Sequence, residues 1–312
     1  MSIKEVPVID LGCQSLTEST SSSLLRACNK LGFFFIRNHG VSKEFYEKLI
    51  SGADELFSSP EETKQQLKMG VSSYTPRFLV SPFFESFRVS GPNFSASAAA
   101  QGFTQSLFGH HATEFSNLLD EYGRKMKEVS KRVVKLLLNV LGDNIENKFY
   151  DPEFSNCNGY LRINGFTPLD MNAEEEIEVF KKHTDLSYVT IVFQNDIRGL
   201  QMRSKGGDWI DVRLSEDGIL VVNIGDYMEA WSNGRLRSAV HRVVLRKNIM
   251  KRFSIAFLST PEDESREIYA PSEVVGEGKS RLYRSFSVQQ YKHFRENNYE
   301  KVGATIKDFV GI

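Results

Sequence analysis

The spacing of apolar residues changes near the middle of the chain. From Thr113 to Gly142 apolar side chains recur every three or four residues, as on one face of a helix, and glycine commonly follows a helix end. After residue 151 the spacing shortens toward two, and turn residues such as Asp217-Gly218 separate the runs. These runs are 159–164, 189–194, 199–204, 208–212, 218–225, 238–245 and 252–259. The pattern predicts a long helix followed by a sandwich or barrel of short strands.

The region before the long helix mixes both periods. Residues 7–11 and 32–40 are typical of short strands, whereas 21–30 and a stretch from Ser42, as N-cap, to about residue 57 are typical of helices. Residues 70–112 keep neither period, and a stretch of that length is commonly a functional loop. Its phenylalanines face either a pocket or the core: Phe78, Phe83, Phe84 and Phe87.

The order of these segments predicts how the chain is organised. No internal repeat and no linker interrupts the 312 residues, so we expect one folded unit. Within it, a mixed helical N-terminal region (1–150) precedes a strand-rich region with a C-terminal segment (151–312).

Charge and cysteine content narrow the class of partner. With 39 Lys and Arg against 40 Asp and Glu, the net charge of −1 favours neither nucleic acid nor an anionic membrane, and a small-molecule partner fits better. Three cysteines without a CxxC pair argue against a disulfide framework or a zinc-thiolate site. The chain has no apolar signal segment and no run of roughly 20 apolar residues. These features predict a soluble cytoplasmic protein.

A histidine and an aspartate stand two positions apart before a β-branched run, in FKKHTDLSYVTIVFQ (180–194). If His183 and Asp185 belong to a strand, both side chains project from one face and can bind one metal ion. His241 lies in the apolar run SAVHRVVL, where an imidazole needs a polar partner, and is the natural third ligand. Two histidines and one carboxylate leave three adjacent positions open, the arrangement of non-haem Fe(II) oxygenases.

A second polar pair follows on the next predicted strand. Arg252 and Ser254 are two residues apart, and a guanidinium beside a hydroxyl suits an incoming carboxylate. The sequence therefore predicts a site for a metal and an anionic co-substrate.

These motifs, in this order, resemble the plant 2-oxoglutarate- and Fe(II)-dependent dioxygenases. The likeness rests on HTD (183–185), NIGDYMEAWSNGRLRSAVHRV (223–243) and RFS (252–254), with PVIDL (7–11) and LGFFFIRNHGV (31–41) at the start. It implies a mostly β fold with flanking helices: a double-stranded β-helix (jelly-roll) core, a mixed helical N-terminal half and a C-terminal helix. It also implies Fe(II) bound by His183, Asp185 and His241, 2-oxoglutarate bound by Arg252 and Ser254, O2 as oxidant and ascorbate as activator.

One position departs from the family pattern. Family members commonly carry RxNYYPP before the HxD motif, with a tyrosine that reaches the co-substrate, whereas this chain has RINGFTP (162–168) and Phe166 at that position. Asn164 is the residue we expect to compensate. Two alternatives therefore stay open, namely an ascorbate-using oxidase with the same triad and a non-catalytic binding protein on this scaffold.

The C-terminal segment resembles the gibberellin oxidases most. The resemblance makes a gibberellin or another carboxylated hormone such as auxin the first choice of substrate, with flavonoids, alkaloids and coumarins as the alternatives. A substrate carboxylate needs a second cation in the pocket, and Arg77 and Arg88 are the residues considered for it.

Overall fold

The computed structural model combines an eight-stranded, a four-stranded and a two-stranded β-sheet with several helices. It describes residues 6–13, 15–66, 73–75, 81–90, 112–167, 176–195, 198–213, 218–245, 251–298 and 305–312. In these ranges the helices are α1 (Glu18–Lys30), α2 (Lys43–Ser58), α3 (Glu61–Gln66), α4 (Ala112–Leu141), α5 (Ile145–Phe149), α6 (Asp226–Trp231), α7 (Ser272–Val275), α8 (Val288–Asn297) and α9 (Ile306–Val310), with a π-helical turn at Tyr150–Phe154. The strands are β1 (Val8–Asp10), β2 (Phe33–Arg37), β3 (Ser73–Thr75), β4 (Phe84–Ser90), β5 (Cys157–Phe166), β6 (Ile177–His183), β7 (Val189–Gln194), β8 (Leu200–Arg203), β9 (Trp209–Asp211), β10 (Leu220–Ile224), β11 (His241–Leu245), β12 (Arg252–Pro261), β13 (Glu267–Ile268) and β14 (Phe286–Ser287).

Side-chain caps fix where the first two helices begin. The Ser42 hydroxyl accepts a hydrogen bond from the backbone N–H of Phe45, so the predicted cap of α2 is confirmed. Helix α1 begins three residues earlier than predicted, because Thr17 caps it by accepting from the N–H of Thr20 at 3.2 Å. The run of serines after Glu18 hid that start, since serine gives no hydrophobic periodicity.

The long helix α4 matches its predicted extent and supports the larger sheet. Its buried residues recur at helical spacing, and the helix contacts α1, α2, β5, β7 and β12. The buried hydrophobic side chains between residues 115 and 141 are Phe115, Leu119, Tyr122, Met126, Val129, Val133, Val134, Leu137, Leu138 and Leu141.

Twelve of these strands form a large and a small sheet that pack face to face, and β13 and β14 pair with each other in a separate sheet. The large sheet has the order β1-β2-β10-β7-β12-β5-β4-β3, and the small one the order β6-β11-β8-β9. A small apolar cluster joins them, with Phe84 and Phe166 from the large sheet against Val179, Val243 and Leu245 from the small one. This is the two-sheet arrangement of a jelly roll, with sheets that stay open, so the predicted fold class is confirmed. The assignment of residues 1–312 to one folded unit stays a prediction.

Two parts of the strand pattern were not foreseen. The stretch expected to lack structure contains β3 and β4, and β4 pairs with β5 along its whole length; Phe78 and Arg77 lie outside the described residues. Strand β6 escaped notice because Val179 is its one fully buried side chain, which leaves too weak an alternation. None of the described helices is long and apolar enough to cross a membrane.

Candidate metal centre and co-substrate site

Three potential metal ligands meet where the small sheet faces the large one. His183 ends β6 and His241 begins β11, and the two residues are direct partners in the antiparallel pair. Nε2 of His183 lies 3.7 Å, and Nε2 of His241 3.5 Å, from Oδ1 of Asp185. One ligand atom from each residue falls within 4.8 Å of the others. The structure therefore brings together all three residues that the sequence singled out.

The geometry behind this meeting differs from the prediction. Asp185 does not share a strand with His183, because β6 ends at His183 and Asp185 lies in the connection to β7. The backbone N–H of Asp226 donates to the Asp185 carbonyl at 2.9 Å, and Nδ2 of Asn223 approaches Oδ2 of Asp185 at 3.5 Å. The first two ligands thus converge through a turn held by β10 and α6, rather than through strand alternation.

Both imidazoles are oriented to bind a metal through Nε2. Nδ1 of His183 lies 2.8 Å from the Lys181 carbonyl, and Nδ1 of His241 lies 3.0 Å from the Ala239 carbonyl. A carbonyl oxygen accepts a hydrogen bond only from a nitrogen that carries a proton, so Nδ1 of each histidine is protonated. In the neutral ring, Nε2 then keeps its lone pair for a metal. Ligands about 2.1 Å from one ion and at right angles lie about 3 Å apart, and the observed 3.5 and 3.7 Å are slightly longer.

The charges of the cluster also suit a cation. Burial alone would raise the pKa of Asp185, but the charges of His241 and His183 outweigh it, and the pKa of Asp185 is lowered. Burial and then the charge of His241 lower the pKa of His183. The cluster therefore favours one carboxylate with a neutral His183, which is a donor set for a divalent metal.

A buried polar network clamps Thr184, the residue between the first two ligands. Oδ2 of Asp226 accepts from the Thr184 hydroxyl at 2.9 Å, from the Tyr291 hydroxyl at 2.7 Å and from Nη1 of Arg295 at 2.8 Å. Arg295 also donates through Nη2 to the Thr184 carbonyl at 3.0 Å. Burial raises the pKa of Asp226, and the charge of Arg295 opposes part of that shift. Helix α8 is thereby tied to the HTD turn, and we call Thr184, Asp226, Tyr291 and Arg295 the clamp network.

Arg252 is a fully buried cation with incomplete hydrogen bonding. Its side chain is 1% exposed, its Nη2 donates to Oε1 of Gln194 at 2.9 Å, and its guanidinium lies 4.7 Å from the centre of the Phe166 ring. Nε and Nη1 of Arg252 have no hydrogen-bond partner among the described residues. Burial lowers the pKa of Arg252 to about 10. Donors left open on a buried charge are costly, and a bound carboxylate would satisfy them.

The neighbouring strand brings the other predicted co-substrate residues to the same face. Ser254 is paired with Asn164 in the sheet, and Nδ2 of Asn164 donates to the Ser254 hydroxyl at 3.3 Å. That hydroxyl can then turn its proton toward an anion, and the buried Oδ1 of Asn164 has no partner in the described part of the chain. Phe166 faces Arg252 directly across the strand pair, so the departure from the family pattern falls beside the guanidinium. We call Arg252, Ser254 and Asn164 the co-substrate end, and the three metal ligands the metal end.

Sequence reasoning missed the residues that support both ends. Neither Asn223 and Asp226 nor Gln194 and Arg295 were singled out as site residues. Their partners lie far away along the chain, at separations of 38 residues for Asn223, 42 for Asp226, 58 for Gln194 and 111 for Arg295. No local pattern encodes such contacts, and the buried charge of Asp226 becomes visible only in three dimensions.

Comparisons with known proteins agree with this site. The model of the 2OG-Fe(II) oxygenase superfamily matches residues 157–261, and that of the non-haem dioxygenase in morphine synthesis N-terminal region matches residues 6–88. An Arabidopsis thaliana protein named gibberellin 20-oxidase-like is 45% identical over 326 residues, covering 99% of this chain and 98% of the relative.

Two crystal structures share the fold. A rice dioxygenase for auxin oxidation aligns with a TM-score of 0.79 at 25% identity and covers 94% of this chain and 96% of its own. JOX2 in complex with 2OG, Fe and JA aligns with a TM-score of 0.77 at 25% identity, over 93% of this chain and 84% of its own. With two family matches and a full-length relative at 45% identity, the chain belongs to the 2OG-Fe(II) oxygenase superfamily.

Proposed function

We propose that His183, Asp185 and His241 bind Fe(II), and that Arg252, Ser254 and Asn164 hold 2-oxoglutarate. The family makes the chain a dioxygenase that uses both cofactors, and the proposal assigns them to residues. The carrying observation is the convergence of two Nε2 atoms on one Asp185 oxygen while both Nδ1 atoms contact backbone carbonyls.

The open donors of Arg252 support the co-substrate assignment. A dicarboxylate bound there would accept from Nε and Nη1 of Arg252 and from the Ser254 hydroxyl. Two or three fixed donors orient the acid, and its other end then faces the metal end of the same cavity.

The chemistry follows from these positions. When bound, Fe(II) with 2-oxoglutarate and O2 supplies an oxidative decarboxylation that yields succinate and CO2 and transfers one oxygen atom to the substrate or removes two hydrogens from it. The chain's own part is to position the reactants and to keep water out. The two histidines and Asp185 would hold the metal, and three protein ligands would leave coordination positions for other ligands. We further propose that ascorbate activates the enzyme by keeping the metal ferrous.

The proposed substrate is a small organic acid, a gibberellin or another carboxylated hormone such as auxin. Support comes from the name of the Arabidopsis relative, a gibberellin 20-oxidase-like protein, and from the rice dioxygenase for auxin oxidation. The cytoplasmic location stays a prediction.

Spectroscopy of the anaerobic protein tests the assignment. Addition of 2-oxoglutarate to the Fe(II) protein should produce a metal-to-ligand charge-transfer band, and His241→Ala should abolish the band and all succinate formation. The variant should keep the far-UV circular dichroism of the wild type. His293→Ala removes an exposed histidine of α8 and serves as the matched control. A wild-type protein that binds Fe(II) without the band, or a His241→Ala variant that turns over, would refute the proposal.

A further inference from the structure

The inner face of the large sheet continues past the co-substrate end toward a basic patch. On β4, β5 and β12, alternate residues such as Val89, Leu161 and Phe257 are fully buried against the helices. The residues that alternate with these point to the opposite face of the sheet, which is the face that carries Asn164 and Ser254. On that face Arg88 and Arg162 are half-buried rather than buried, so solvent reaches this part of the cavity.

Two arginines stand directly opposite each other on this face. Arg88 of β4 is the register partner of Arg162 of β5. Like charges placed so are unfavourable in a sheet. Nε of Arg162 donates to the Ser86 hydroxyl at 3.2 Å, and the Arg88 guanidinium lies 4.0 Å from the centre of the Tyr160 ring. Nε of Arg88 is buried without a hydrogen-bond partner among the described residues. An anion at this position would accept a hydrogen bond from the open Nε of Arg88 and would lie beside both guanidinium groups.

The register of the strands gives the distance from this patch to the metal end. Thr190 of β7 is paired with Leu258 of β12, which is paired with Tyr160 of β5. The Thr190 hydroxyl interacts with Asp185. Two strand spacings, roughly 10 Å, therefore separate the Tyr160 position from the strand that touches the metal ligand.

The surface between the patch and the metal end is apolar. Val192 and Ala256 occupy the row of Arg162 across the sheet, each 9% exposed, and Leu258 occupies the row of Tyr160. Burial raises the pKa of Tyr160. The charges of Arg88 and Arg162 lower this pKa and the charge of Asp185 raises it, so the Tyr160 hydroxyl lies within the electrostatic range of both the patch and the metal end.

We propose that Arg88 and Arg162 bind the carboxylate of the organic substrate, an apolar monocarboxylic acid whose hydrocarbon body then lies over the apolar surface toward the metal end. This rests on the proposed function and deepens it, because it assigns substrate recognition to residues distinct from the co-substrate end. Arg252 is fully buried and donates to Gln194, whereas Arg88 and Arg162 are half-buried and lie on different strands from Arg252 and Ser254. The carboxylate stays ionised and takes no part in bond making.

Calorimetry on the anaerobic Fe(II)·2-oxoglutarate enzyme tests the proposal with matched acids and esters. The probes are gibberellic acid and indole-3-acetic acid, each compared with its methyl ester. At least one acid should bind about tenfold or more tightly than its ester, because the ester cannot accept a charge-assisted pair of bonds. Arg88→Gln should weaken that acid about tenfold and leave the ester unchanged, and Arg88→Lys should restore part of the loss.

The controls separate this inference from the proposed function. Arg124→Gln removes an equally flexible cation from the surface of α4 and should change neither affinity. The charge-transfer band with 2-oxoglutarate should be the same in Arg88→Gln and wild type. If no acid binds, if acid and ester bind alike, or if Arg88→Gln weakens 2-oxoglutarate, the assignment of Arg88 and Arg162 is wrong even though the band shows the oxygenase site to be intact.

Discussion

The metal end and the co-substrate end differ in how their polar groups are satisfied. At the metal end, Nδ1 of each histidine contacts a backbone carbonyl, and the clamp network holds the turn between His183 and Asp185. At the co-substrate end, Arg252 is fully buried, yet two of its three side-chain nitrogens have no hydrogen-bond partner among the described residues. The metal end is organised before its ligand arrives, whereas the co-substrate end is completed by its ligand.

This difference predicts how much free energy a ligand gains on binding at each end. A ligand at a finished site gains only its own bonds, whereas a ligand at Arg252 also removes the desolvation cost of a buried charge. We therefore expect 2-oxoglutarate to stabilise the protein strongly and the metal end to depend on its surrounding network.

The largest effect should come from Arg252→Met. The variant loses two charge-assisted hydrogen bonds worth about 1.5–3 kcal/mol each, so 2-oxoglutarate affinity should fall by about a hundredfold or more. The ligand-free variant should unfold at the same temperature as wild type or a higher one, because a buried charge is replaced by an apolar side chain. Titration of the charge-transfer band and thermal unfolding measure the two quantities.

Lys251→Met is the control for this variant. It removes the exposed neighbouring cation, which pairs with Asp54 on the surface, and should leave co-substrate affinity unchanged. A large loss of stability in ligand-free Arg252→Met would show that the guanidinium stabilises the fold. It would contradict the inference that the co-substrate end is completed only by its ligand.

A smaller effect, at the metal end, is expected from Arg295→Met. The change leaves the fully buried Asp226 carboxylate without its cation, which should lower the free energy of unfolding by about 3 kcal/mol. The loosened HTD turn should also weaken Fe(II) binding about tenfold or more. Chemical unfolding and iron titration provide the readouts.

Two further variants make that prediction specific. Lys292→Met on the same helix breaks a surface pair with Glu264 and should cost less than about 1 kcal/mol. Adding Asp226→Asn to Arg295→Met should recover part of the lost stability, since no uncompensated charge then remains buried. If Lys292→Met and Arg295→Met lowered the free energy of unfolding and the Fe(II) affinity equally, the inference that the clamp network supports the metal end would be wrong.

The same contrast explains what could be predicted from the sequence. His183, Asp185, His241, Arg252 and Ser254 were found because each stands inside or beside an apolar run, where a polar residue needs a reason. The paired strands 189–194 and 252–259 were found because apolar residues recur at a spacing of about two, and their structural bounds agree closely. Strand β6 and the clamp network were missed, because Lys181 and Lys182 hide the alternation and two partners of Asp226, Tyr291 and Arg295, come from a helix at least 65 residues away.

The smallest effect, and the one that sharpens the comparison most, is expected from Phe166→Tyr. The Phe166 ring lies against the Arg252 guanidinium and is 2% exposed, so a hydroxyl added there would enter the co-substrate end. One extra donor to a bound carboxylate should raise 2-oxoglutarate affinity about tenfold. Phe84→Tyr, in the neighbouring ring 5.2 Å away, adds the same group on β4 and should not raise affinity. If Phe166→Tyr leaves the charge-transfer titration unchanged, then Arg252, Ser254 and Asn164 already satisfy the anion. The missing tyrosine would then cost this chain nothing.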